Sequence, residues 1–390
     1  MIASVLPTYN RAPLAFASGE GSWLISTEGE RYLDLGSGIA VNALGHANPR
    51  LVEVLTDQAR RLWHVSNLYQ IPEQQRLADM LVEATFADTA FFTNSGTEAT
   101  ELAIKMARKY WHEKGATERV RILTFEGAFH GRSTGAIAAS GAEKMVKGFG
   151  PLMPGFTTLP FADETALRAA MDDGVAAVMI EPIQGEGGIR LAPDDYLKLL
   201  RELCDKTGAL LIFDEIQCGM GRTGRLFAHE WAGICPDIML IAKGIGGGFP
   251  LGAVLATEDA ASGMVAGTHG STYGGNPLGC AMGAAVMDAV ADPGFLDDVN
   301  RKAGLFRQGL ESLVARYPDL FGEVRGQGLM LGLKCKSANT DIVKAAQDRN
   351  LLLVAAADNV LRLLPALNIP DEDIAEALSR LDATAAALSG

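Results

Sequence analysis

Along the chain, short unbroken apolar runs alternate with longer stretches of helical periodicity. "RVRILTFE", "VAAVMIEP", "GALLIFDE" and "DIMLIAK" are brief, almost uniformly apolar and bounded by charged or turn residues. Such runs predict strands buried on both faces, the pattern of a parallel sheet. Between and before them lie segments of helix length and spacing: "LVEVLTDQARRL", "PDDYLKLLRELCDKTG" and "TEATELAIKMARKYWHEKG", the last ending at Gly115. Repeated strand–helix alternation predicts an α/β fold, a mostly parallel sheet with helices on both faces. Residues 1–45 read as irregular or short-stranded, with turn signals at "SGEGSW" and "STEGER". After "NPLGCAMGAAVMDAVAD" the text changes to helices interleaved with "VRGQGLMLGLKC", "NLLLVAAA" and "VLRLLPAL", and the alanine-rich tail reads as a helix. The expected organisation is a large domain over 46–280. A smaller α+β domain would combine 1–45 with 281–390.

In open α/β sheets, ligands bind outside the carboxyl ends of the strands. Four reactive side chains fall at such ends: Glu126, Glu181, Asp214 and Lys243. Asp214, after "GALLIF", is costly to desolvate unless a cation meets it. "FFTNSGTEATE" places Ser95, Gly96 and Thr97 where a strand turns into a helix, which suits a phosphate, although an ordinary capping box has the same spelling. Lys243, in "DIMLIAKGIGGGFPLGA", is either a strand-end lysine reaching solvent or a desolvated amine able to form a Schiff base. "GIGGG" lacks the spacing of a dinucleotide loop and comes late in the sheet. A phosphate cradle, a strand-end lysine and a strand-end aspartate are together the parts that hold pyridoxal 5'-phosphate. Asp214 would face the protonated ring nitrogen, a charged hydrogen bond of about 1.5–3 kcal/mol. A structural salt bridge is the other reading of Asp214.

Composition narrows the class. The 390 residues are 48% hydrophobic and 21% charged, as in globular proteins, and the net charge of −13 disfavours nucleic acid and anionic membranes as partners. An acidic substrate must then be held by local arginines. The opening "MIASVLPTYNR" lacks the basic region and apolar core of a signal peptide, and no apolar run reaches membrane-span length. Five cysteines, odd in number and without a C-x-x-C pair, point to reduced thiols in a cytoplasm, and neither they nor the histidines show metal-ligand spacing.

The ordered motifs "GIAVNALGH" (38–46), "NSGTEA" (94–99), "AFHGR" (128–132), "EPIQGEGG" (181–188), "DEIQCGMGRTG" (214–224), "LIAKGIGGGFPLGA" (240–253), "HGSTYGGNP" (269–277) and "RLLPAL" (362–367) span essentially the whole chain. In them the chain resembles the class III (ω-amino acid) aminotransferases of pyridoxal-phosphate fold type I, and within these the group whose amine donor is an N-acetylated ornithine. The resemblance implies that Lys243 carries the cofactor covalently and moves the substrate proton. It gives Ser95, Gly96 and Thr97 to the phosphate, with Thr272 reaching in from a second subunit of a homodimer. Phe129 and Ile216 would cover the two ring faces, Ile216 replacing a frequent valine. Gln217 would lie near the ring's phenolic oxygen. Arg132 would clamp the donor's α-carboxylate, with Tyr9 and Ser271 as further substrate contacts. Arg362 would bind 2-oxoglutarate, and Glu186 would mask that arginine while the amine donor is bound.

For Arg132 and Arg362 an interdomain or surface ion pair is the plain alternative. His46 and His130 read as loop-orienting residues, Cys218 as a small buried filler, and the "MGR" turn as loop packing. Rival donors within the class are succinyldiaminopimelate, succinylornithine, ornithine and 4-aminobutyrate. "GIAVNALGH" argues against free ornithine. From other classes, a pyridoxal-phosphate-dependent transcription regulator finds no DNA-binding module in this acidic text, and an NAD-dependent oxidoreductase lacks its glycine fingerprint.

Overall fold

The computed structural model describes residues 4–389, so the first three residues and the last one of the expected small domain lie outside the described residues. A seven-stranded sheet forms the centre. From edge to edge its strands are Thr89–Thr93, Gly252–Ala256, Ile238–Ile241, Leu210–Asp214, Val175–Ile180, Arg121–Phe125 and Phe156–Leu159. All four runs read as strands are in it. Pairing is parallel throughout except at Gly252–Ala256, which lies antiparallel to both its neighbours. Parallel pairing needs a crossover, and the short link from Ile241 to Gly252 has no room for one. Val175–Ile180 and Leu210–Asp214 are buried at every position, which explains why they read as unbroken apolar runs rather than alternating ones.

The flanking helices follow local signals. Ser95 accepts the Glu98 amide and starts the helix Gly96–Glu113. Gly208, with φ of 74°, ends Asp194–Thr207 in the left-handed conformation that glycine tolerates. Asn276 caps Pro277–Val290, whose first residue is the proline favoured there. A second, four-stranded sheet runs Phe321–Gln327, Met330–Cys335, Val360–Leu363, Val354–Ala356. The N-terminal strands Phe16–Glu20, Trp23–Ser26 and Arg31–Asp34 form a third sheet, completed by Leu351–Leu352, which pairs in parallel with Arg31–Asp34. The tail is the helix Asp371–Ser389. Among the described residues no helix is long and apolar enough to cross a membrane.

Candidate active site

Six strands of the central sheet point the same way, so their carboxyl ends meet along one edge. There Asn94, Ser95, Gly96, Thr97, Phe129, Glu181, Asp214, Ile216, Gln217 and Lys243 line a single cavity of about 320 Å³.

The adjacent acids Asp214 and Glu215 take different places. Glu215 turns away from the cavity, and its carboxylate accepts the amides of Ala228 and His229, pinning the base of the loop between them. Asp214 stays at the cavity floor, 3% exposed. One of its oxygens accepts the Ile216 amide at 3.1 Å and the other lies 2.7 Å from His130 Nδ1. Burial disfavours a charge on His130, but the hydrogen bond and attraction of Asp214 outweigh it and raise its pKa. The His130 backbone is held in turn, its carbonyl by Thr100 Oγ1 and its amide by Ser140 Oγ. Glu181, buried nearby, accepts the Phe129 amide at 3.0 Å. Its carboxyl is pushed up to about 8, first by burial and then by the charge of Asp214. His130 and Glu181 are thus working neighbours of Asp214. Sequence spacing could not show this, since His130 and Asp214 are 84 positions apart.

Lys243 follows the strand Ile238–Ile241 with φ of 49°, a left-handed conformation that is strained for any residue but glycine. Burial pushes its amine below the ordinary lysine range, against the attraction of Glu186. A depressed amine pKa is what a nucleophile and proton carrier at neutral pH requires.

The residues present fit pyridoxal phosphate. Among the described residues no lysine or arginine bonds Asp214, whose carboxylate faces the cavity with room for a cationic ring nitrogen as its partner. The amides of Gly96 and Thr97 open an 18-residue helix ahead of its first internal bonds, where an anion is favoured. The cradle is tight: a Cβ on Gly96 would stand 2.7 Å from Ile216 Cδ1, and one on Gly131 2.3 Å from Thr97 Oγ1.

The remaining expected residues are placed less uniformly. Arg362, 1% exposed, donates from Nη1 to Glu186 Oε1 at 2.5 Å and to Gln217 Oε1 at 2.9 Å, so it reaches the cavity through Gln217. Burial raises the Glu186 pKa, yet Arg362 more than cancels this and holds the carboxyl below its usual range. Arg132 is exposed at the mouth, its guanidinium 5.5 Å from the Phe129 ring and its amide bonded to Thr97 Oγ1. Ser271 lies just outside, with Oγ accepting from Asn94 Nδ2 at 3.4 Å. Thr272 and Tyr9 are exposed and do not line this cavity. His46 bonds Asp34 at 2.8 Å. Cys218 is buried, with burial raising its thiol pKa well above normal.

The chain is similar to known proteins over nearly its whole length. Residues 6–385 match the family model described as aminotransferase class-III. Acetylornithine aminotransferase of Rhodobacter capsulatus is 71% identical over 388 residues, covering 100% of this chain and 99% of that protein. The crystal structure of N-acetylornithine aminotransferase from Stenotrophomonas maltophilia matches with a TM-score of 0.86 at 40% identity, over 98% of each chain. Ornithine aminotransferase of Toxoplasma gondii, in a structure described as having partial occupancy of PLP at its active site, matches with a TM-score of 0.94 at 32% identity, over 99% of this chain and 93% of that one. With a family model spanning nearly its full length and a relative this similar, the chain belongs to the class-III aminotransferases.

Proposed function

We propose that the protein is a pyridoxal-phosphate-dependent acetylornithine aminotransferase. It converts N2-acetyl-L-ornithine and 2-oxoglutarate to N-acetyl-L-glutamate 5-semialdehyde and L-glutamate, a step of arginine biosynthesis. The observation that carries the transaminase reading is the meeting of Lys243, Asp214 and the Ser95–Thr97 helix terminus in one cavity. The choice of donor rests on the 71% identity to the Rhodobacter capsulatus enzyme.

When bound, the cofactor supplies a carbonyl that takes the substrate's amine and a cationic ring that accepts the electrons left when a proton departs. The chain's own work is positioning and proton movement. Ser95, Gly96 and Thr97 hold the phosphate, and Asp214, kept in place by His130 and the Ile216 amide, keeps the ring nitrogen protonated. Phe129 and Ile216 exclude water from the ring faces. Lys243 Nζ takes the proton from the substrate carbon and returns it one position away, a task its lowered pKa suits.

Two substrates use the site in turn, and only one carries a carboxylate beside the reacting carbon. An unpaired buried arginine is costly in the absence of that carboxylate. Glu186 pairs with Arg362 while the amine donor is bound and yields it to 2-oxoglutarate. Arg132 at the mouth holds the donor's carboxylate, with Tyr9 and Ser271 as further substrate contacts. Thr272, exposed here, serves the phosphate of a second subunit in a cytoplasmic homodimer. The large domain spans 46–280, and the small one 1–45 with 281–390.

A donor panel with 2-oxoglutarate tests the reading, comparing acetylornithine, succinylornithine, succinyldiaminopimelate, ornithine and 4-aminobutyrate. Acetylornithine is expected among the best donors. Its absence from that group would overturn the assignment while leaving the transaminase chemistry intact.

A further inference from the structure

Arg222 is among the largest fully buried side chains, 2% exposed. Burial lowers its pKa to about 9, and no acid contributes to holding its charge. Its Nη1 instead donates to two main-chain carbonyls, Pro365 at 2.6 Å and Leu329 at 3.1 Å. The Arg222 carbonyl accepts the Leu329 amide in return, at 2.9 Å. The second terminal nitrogen has no protein partner. A buried cation without an anion is destabilising, and an apolar side chain of similar volume would avoid that cost. The guanidinium's contacts show what it secures.

Both carbonyls lie at one end of the antiparallel strand pair that holds Arg362. Leu329 leads into the strand Met330–Cys335, whose Gly332 pairs with Arg362, and Pro365 lies three positions beyond Arg362. The loop that carries Arg222 begins at Gln217, which itself accepts from Arg362 Nη1. The stretch 217–222 therefore meets this strand pair at two points, Gln217 bonding the Arg362 side chain and Arg222 bonding the main chain three positions beyond it. The approach is backbone on backbone: Gly328 has φ of 56°, and a Cβ there would stand 2.3 Å from the Thr223 carbonyl carbon. Glu215, bonded to Ala228 and His229, fixes the foot of the same loop.

We propose that Arg222 is a positioning residue for the oxo-acid half-reaction, tying the strand that carries Arg362 to the loop that follows Gln217. It keeps the Arg362 guanidinium in place when Glu186 moves off. The inference rests on the two-substrate reading of Arg362 given above. Misplacement of a binding group by about 1 Å can cost on the order of a hundredfold, so a strut of this kind has a kinetic consequence.

The test is to measure the two half-reactions separately in Arg222→Met and Arg222→Lys, with acetylornithine and with 2-oxoglutarate, recording melting temperatures alongside. Arg222→Met is expected to raise KM for 2-oxoglutarate at least about tenfold while KM for acetylornithine stays within about twofold. Arg222→Lys, able to serve one carbonyl at a time, should show the same asymmetry at smaller size, and it decides the matter if the methionine variant does not fold. Equal losses in both half-reactions, or a change in melting temperature with both KM values unmoved, would overturn the proposal. A wild-type enzyme that accepts no 2-oxoglutarate would overturn both it and the functional reading beneath it.

Discussion

At the scale of single residues, the cavity floor sets two carboxylates against each other. Glu181 rises from 4.5 to about 8, through burial and then the charge of Asp214. Between those values the folded protein holds a proton that the unfolded chain has released, so stability falls as pH rises through that window. Glu181→Gln removes the titration and can still accept the Phe129 amide. In thermal melts of cofactor-free protein, the variant should match the wild type near pH 5 and melt several degrees higher near pH 8. A gap that does not change with pH would argue against the cause given. Asp214, Lys243 and the Ser95–Thr97 turn could be read from the sequence because each sits at an abrupt change of local pattern, from apolar run to polar residue. His130 and Glu181 could not be assigned their role this way. Their significance comes from convergence on Asp214 from separate strands, and chain spacing carries no trace of it. The "MGR" turn was similarly opaque, because only the folded contacts of Arg222 with Leu329 and Pro365 distinguish it from loop packing.

At the scale of elements, the two arginines come from different parts of the architecture, and the proposed function divides the substrates between them. Arg132 follows the strand Arg121–Phe125 and stands exposed at the mouth, whereas Arg362 lies within Val360–Leu363, buried and paired with Glu186. Arg132→Ala should mainly weaken acetylornithine use and Arg362→Ala mainly 2-oxoglutarate use. Each loss should be on the order of 10²-fold or more in kcat/KM, as for removal of a charged partner worth about 3 kcal/mol. Half-reaction kinetics check this, and equal losses for both substrates would contradict the division. The strands that carry the site were legible as apolar runs because parallel strands are covered on both faces. Phe156–Leu159 and Gly252–Ala256 were not singled out. The first is a short edge strand of mixed burial, and the second is small-residue text inside a glycine-rich stretch, with little periodicity to read.

At the scale of the whole molecule, one chain leaves an apolar patch exposed, which the second copy of the proposed homodimer would cover. Trp63, Leu68, Tyr69 and Tyr273 are 64%, 85%, 67% and 62% exposed. They belong to two segments stitched together, with Asn67 donating to the carbonyls of Ser271 and Gly274 and the rings of His64 and Tyr273 5.0 Å apart. Thr272 sits in the middle of this apolar surface, the kind that marks an association face. If it serves the partner's phosphate, mixed dimers of Lys243→Ala and Thr272→Ala chains contain one site in which both residues are native. Such heterodimers should recover about half the wild-type activity per dimer, with one tight cofactor site. Activity no better than the Thr272→Ala parent would show that each chain serves itself.

The coenzyme's attachment point tests the account most directly. Holoenzyme reduced with borohydride and digested should carry the pyridoxyl label on the peptide containing Lys243 and nowhere else, and Lys243→Ala should take no label. Label on another lysine, or unchanged labelling of Lys243→Ala, would contradict the account at its centre.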